Sequence, residues 1–261
     1  MTNPISIPAA AGSVVAGAQA EAPKELPLDE ALQSLKTYDW GVARETLGSI
    51  DAAVRTTHGD AAARAKLEKA LVDTLAGGVS RSAQDFICRR LRVIGTKTAV
   101  NALAALLGDK ETSHIARYAL ERLEDAAAGD ALRAALPKAD AKTKQGLIGS
   151  LGVRRDKAAT AAIAACLGDA DPLTVQAACK ALSLIGTPEA AQALGAYVKK
   201  APEALKVPAA DAGLICAERL TADGDKASAK SLYGVLAGSD MPKMIQIAAT
   251  RGMSKADNKK E

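Results

Sequence analysis

Two histidines, four cysteines and a recurring lysine are the side chains of this sequence whose types and spacing bear on chemistry. His58 lies in the linker TTHGD and His114 opens a helical phrase, so both read as solvent-facing turn or cap residues. No CxxC occurs and neither histidine stands near a cysteine in sequence, which disfavours a zinc site. Cys88 and Cys179 share one column of an internal repeat, Cys216 lies one position off it, and Cys166 falls on the apolar side of another helix. All four read as small buried thiols, because a free cysteine packs as a compact hydrophobe. A Cys179–Cys216 bridge is disfavoured, since helices one repeat apart stack about 10 Å between axes, beyond disulfide reach. The lysines are Lys97, Lys157 and Lys226, at equivalent places where helices begin. A cation there opposes the helix dipole by about a few tenths of a kcal/mol, so nothing local favours it. Solvated lysine is the plain reading of this column, and a contact for an anionic partner is the functional one.

A repeated helical phrase must position these residues. Residues 171–194, DPLTVQAACKALSLIGTPEAAQAL, and residues 84–107, QDFICRRLRVIGTKTAVNALAALL, both place Leu-x-x-Ile-Gly-Thr between two helical runs. Aligning that leucine gives Leu91, Leu123, Leu151, Leu182 and Leu220, spaced 32, 28, 31 and 38 residues apart. Three residues upstream lie Cys88, Leu120, Ile148, Cys179 and Ala217; one earlier come Ile87, Ala119, Leu147, Ala178 and Cys216. Offsets of three and four put these apolar columns on one helical face. Intervening positions such as Arg89, Arg90, Glu121, Lys180 and Glu218 are charged. The second helix of each unit repeats through Leu103, Ile163, Leu194 and Leu232, with Ala99, Ala159, Ala190 and Ser228 one turn before. The unit near Gly129 is shorter. Such self-similarity marks a solenoid, whose units bury their faces against their neighbours.

Boundary signals agree. Gly95, Gly186 and Gly224 stand between paired helices, where a positive φ ends a helix cheaply. Asp171 reads as an N-cap, with Pro172 and Pro188 in first turns. The chain holds 59 alanines against one Phe, one Trp and four Tyr, which suits closely stacked helices rather than a large aromatic core. Trp40, in KTYDWGVARETL, reads as a core staple near the first helix. Residues 1–27 are rich in Ala and Pro and read as a flexible segment, 28–252 as the helical array, and 253–261 as a charged tail. No Lys or Arg precedes the weak apolar run at the start, so no convincing signal peptide is present and a soluble, cytoplasmic location is favoured over a secreted or periplasmic one. No stretch reaches the ~20 apolar residues of a bilayer span. LDEALQSLKTYDW reads as a polar cap, and MPKMIQIAATRGMSKAD begins another unit, compatible with an accessory repeat region of a larger protein.

The segment DPLTVQAACKALSLIGTPEAAQAL resembles a HEAT-type repeat, specifically the short class typified by the phycobilin-lyase HEAT-like family. The resemblance covers about residues 40–252 and is strongest over 84–200. It implies an all-α fold: a right-handed α-solenoid, or α-α superhelix, of about six to seven helix pairs. It also implies a non-catalytic scaffold, since such repeats mainly present binding surfaces. Metal-dependent hydroxylases built from similar repeats need several His–Glu pairs, which this sequence lacks. A bilin groove wants aromatic lining, and Tyr118, Tyr197 and Tyr233 offer little toward it. A bilin-lyase-like or other small-molecule enzyme is the alternative. Nucleic-acid binding is less favoured still, with a pI of about 8.8 and scarce aromatics. The net charge of +4 is concentrated in residues 81–122, where CRRLR places Arg89, Arg90 and Arg92 on the outer, convex side. No cofactor and no catalytic or metal-binding set is expected. The expected partner is a protein or peptide with an acidic surface, held on the concave face. That face comes from the second helices, through Lys97, Asn101, Arg133, Lys157, Gln192, Lys226 and Lys230, flanked by Arg154 and Arg155.

Overall fold

The structure is a computed structural model that describes residues 25–238 and 240–257. The Ala/Pro-rich residues 1–24 and the last four of the charged tail lie outside the described residues. In chain order the helices are α1 (Leu28–Ser34), α2 (Gly48–Thr56), α3 (Ala61–Ala76), α4 (Arg81–Ile94), α5 (Lys97–Ala105), α6 (Ser113–Leu120) and α7 (Ala126–Ala135). They continue as α8 (Ala141–Val153), α9 (Thr160–Ala165), α10 (Pro172–Ile185), α11 (Pro188–Val198), α12 (Glu203–Ala222), α13 (Lys226–Leu236) and α14 (Lys243–Asp257). Short 3-10 turns join several of them, and no strand forms among the described residues. Helix α14 runs to Asp257 with Ala256 buried, so ordered helix extends past position 252.

The helices stack in two layers. Even-numbered helices α2 to α14 each pack on the next even-numbered one and make the first layer; α1, α3, α5, α7 and then α9, α11, α13 make the second. Odd helices also pack on the even helix that follows, which zips the layers together. The three apolar columns lie between the layers, and all fifteen of their side chains are 3% exposed or less. An amphipathic helix repeated with one buried face therefore builds an α-solenoid, in which each unit is covered by its neighbours. Alanine and glycine set the closeness of the stack. A Cβ on Gly152 of α8 would meet Ala181 of α10 at 2.8–2.9 Å, tighter than packed side chains tolerate.

Helix starts are fixed by side-chain caps. Asp60, Ser80, Thr96, Asp125, Asp140, Asp171, Thr187 and Asp225 each accept a hydrogen bond from a first-turn N–H. Pro172 and Pro188 open α10 and α11 as expected. Gly186 and Gly224 take positive φ of 66° and 91°. Gly95 does not: its φ is −65°, and glycine is needed because a Cβ would strike the Leu91 carbonyl oxygen. The unequal repeat spacing has a structural cause. Helix α12 is 20 residues long, with Pro208 in its second turn, and lengthens the last interval, while α6 has only eight.

Candidate partner-binding surface

Lys97, Lys157 and Lys226 each directly follow the N-cap of a second-layer element, so the sequence column is a true register position. They fall in alternate repeats, about 20 Å apart for helices stacked at ~10 Å. The first is held from beneath. The buried Glu68 carboxylate of α3 accepts hydrogen bonds from the Thr96 backbone N–H (2.6 Å) and hydroxyl (3.0 Å). At the third, Asp225 accepts from the Ser228 N–H at 3.0 Å, and that bond holds its carboxyl below the usual carboxylate range. Lys97 and Lys157 are exposed; Lys226 is half-buried. Asn101 lines a groove of ≈ 550 Å³ between α3 and α5, floored by Val72, Leu75 and Leu106. Gln192 lines another of ≈ 510 Å³ between α11 and α13, where Gly195, Leu232 and Val235 leave room. Both residues are exposed.

The remaining basic residues of the expected surface are committed within the chain. Arg133 is half-buried between the carboxylates of Asp156 and Asp130. Arg154 reaches from α8 to the end of α6, donating to the backbone carbonyls of Leu120 (2.6 Å), Leu123 and Asp125 (3.2 Å). The Leu120 carbonyl is an orphan of the α6 C-terminus and the Leu123 carbonyl lies just beyond it, so the guanidinium acts as a cap supplied by the next repeat. Lys230 pairs with Asp257 of α14. Arg155 is exposed in the left-handed region, with φ 52°. The second-layer face thus offers Lys97, Asn101, Arg155, Lys157 and Gln192 to solvent, while Arg133, Arg154 and Lys230 serve the fold.

The first layer differs from expectation in two places. Trp40 is no core staple: it is 73% exposed, in the segment between α1 and α2, while Tyr38 and Phe86 pack at 6.3 Å beneath it. Arg90 does not project outward; it is buried against Asp51 at 2.5 Å with its guanidinium 3.4 Å from the Phe86 ring centre. Its neighbours Arg89 and Arg92 lie 5.7 and 4.3 Å from the centre of the Tyr118 ring. Sequence reasoning missed this cluster because its members lie in different repeats. The available signal was the concentration of Tyr38, Trp40, Phe86 and Tyr118 in one half of a chain otherwise poor in aromatics. His58 and His114 are exposed, and all four thiols are free. Burial pushes the thiols of Cys88, Cys179 and Cys216 up to about 12, 11 and 12; Cys166 is only half-buried. No three potential ligands gather for a metal ion among the described residues.

Two stacked layers, repeated caps and neighbour-only packing define an α-solenoid repeat protein. Residues 129–212, from within α7 to within α12, match the family model for HEAT repeats, and the chain is a HEAT-like repeat protein. The matched model describes the repeat and does not carry the narrower phycobilin-lyase class. HEAT repeats generally serve as protein-interaction scaffolds. No curated protein matches the chain. Among the described residues no helix is long and apolar enough to cross a membrane.

Proposed function

We propose that this chain is a non-catalytic scaffold that holds an acidic protein or peptide on the second-layer face, the concave side of the solenoid. The observation that carries the reading is the shared register of Lys97 and Lys157, both exposed and both next after an N-cap residue, Thr96 held by Glu68 and Asp156 by its ion pair with Arg133. Asn101 and Gln192 supply polar contacts in two separate grooves, one near each end of the layer. A partner carboxylate at each lysine would relieve the unfavourable helix-dipole term that the cation otherwise bears. Charge complementarity of this kind supplies orientation and on-rate more than raw affinity.

The test is affinity capture from lysate of the source cells, with the intact chain against a Lys97→Glu/Lys157→Glu variant. A partner retained by the first and released by the second, with unchanged circular dichroism, is the expected result. Equal retention by both removes this face from consideration.

A further inference from the structure

We propose that the first layer carries a second docking site, running from Trp40 to Arg92, for an acidic peptide segment bearing one apolar side chain. At one end Tyr38, Trp40, Arg44, Phe86 and Arg89 wall a cavity of ≈ 100 Å³. The backbone that carries Trp40 is pinned. The Asp39 carboxylate accepts from the Trp40 N–H (2.8 Å) and the Ser82 hydroxyl (2.7 Å), and the Ser80 hydroxyl donates to the Tyr38 carbonyl. Arg89 joins this cavity to the Tyr118 ring, and Arg92 stacks on that ring from closer still. A cavity walled by three aromatic rings among paired charges therefore passes directly into a guanidinium–aromatic stack.

The two ends differ in charge. Arg89 is neutralised by Asp85 at 2.7 and 3.1 Å and Arg90 by Asp51, so the cavity end is balanced. Arg92 forms no ion pair among the described residues, and its Nε is buried without a hydrogen-bond partner. Stacking covers the guanidinium faces but leaves the Nη edge to take a carboxylate. The arrangement fits an apolar anchor in the cavity and an acidic side chain at Arg92. A nucleic-acid backbone fits less well, because its phosphates would meet Asp39, Asp51 and Asp85 around the cavity. Trp, Tyr and Arg are the residues that most often dominate protein interfaces, and here all three are presented on a pinned surface.

The experiment is selection of a random peptide library displayed on phage against the whole chain, repeated with Arg92→Glu and with Trp40→Ala. Selected peptides should combine one apolar residue with neighbouring Asp or Glu, and should bind roughly tenfold more weakly to either variant. They should bind the Lys97→Glu/Lys157→Glu variant unchanged, which separates this site from the second-layer face. Because the chain has a single tryptophan, their binding should also shift Trp40 fluorescence. Peptides without acidic character, or acidic ones indifferent to both first-layer variants, overturn the proposal. So does an empty selection, and so does a fluorescent oligo-dT that binds in an Arg92-dependent manner while no peptide is selected. Trp40 is so exposed that its removal leaves the core intact, which keeps the test valid if Arg92→Glu fails to fold.

Discussion

On the second-layer helices the exposed positions are small or polar, among them Thr98, Asn101, Ala161, Ala165, Gln192 and Ser231, whereas the first-layer helices expose Val93, Tyr118, Val153, Leu173 and Ile215. Among the described residues the exposed large apolar side chains all lie on first-layer helices or at Trp40 and Val42. Both layers bury the same kind of apolar column against each other, so the difference is confined to the outward positions. A face of small residues lets a partner backbone come close and leaves recognition to charge and polar groups. A face with aromatic and aliphatic anchors can instead hold a partner through a few desolvated side chains. One repeat pattern thus yields two chemically distinct surfaces.

The contrast between buried column and outward position is broken most severely at α10. Leu182, fully buried, should lose about 2–5 kcal/mol of stability on change to alanine. Leu173, 59% exposed on the same helix, should stay within about 0.5 kcal/mol. Denaturant unfolding of the two variants checks this, and an equal loss would show that Leu173 is covered in solution. The contrast between structural and available cations is sharpened by two adjacent arginines. Arg154→Ala should cost about 1–3 kcal/mol, because it strands the Leu120 and Leu123 carbonyls that it now satisfies. Arg155→Gly should leave stability unchanged or raise it by up to about 1 kcal/mol by relieving a positive φ. The smallest effect lies in the thiols. Cys88, Cys179 and Cys216 sit on the buried side of first-layer helices, with pKa values raised far above neutrality, and only the thiolate is nucleophilic. Iodoacetamide near pH 8 should therefore label the half-buried Cys166 of the second layer first, read by peptide mass spectrometry. Early labelling of Cys179 would mean that α10 opens locally.

Periodicity made the solenoid legible, because a helix buried on one face repeats its apolar columns every turn and its caps at every start. The same logic located Asp171, Pro188, Gly186 and the lysine register. Contacts between repeats were not legible. Arg133 finds Asp156 across 23 residues and Arg154 finds Leu120 across 34, and neither pairing leaves a local pattern. Both arginines therefore looked like surface cations in the sequence. Gly95 misled for a related reason, since crowding by the Leu91 carbonyl requires glycine there without a positive φ. Trp40 was read as core because large aromatics usually are, yet Tyr38 and Phe86 already fill the space beneath it.

Zero-length carbodiimide cross-linking of the captured complex tests the second-layer assignment most directly, because it joins only a lysine and a carboxylate already in contact. Links from Lys97 and Lys157 to aspartates or glutamates of the partner are the predicted result. Links confined to first-layer lysines such as Lys144 and Lys180 would contradict it.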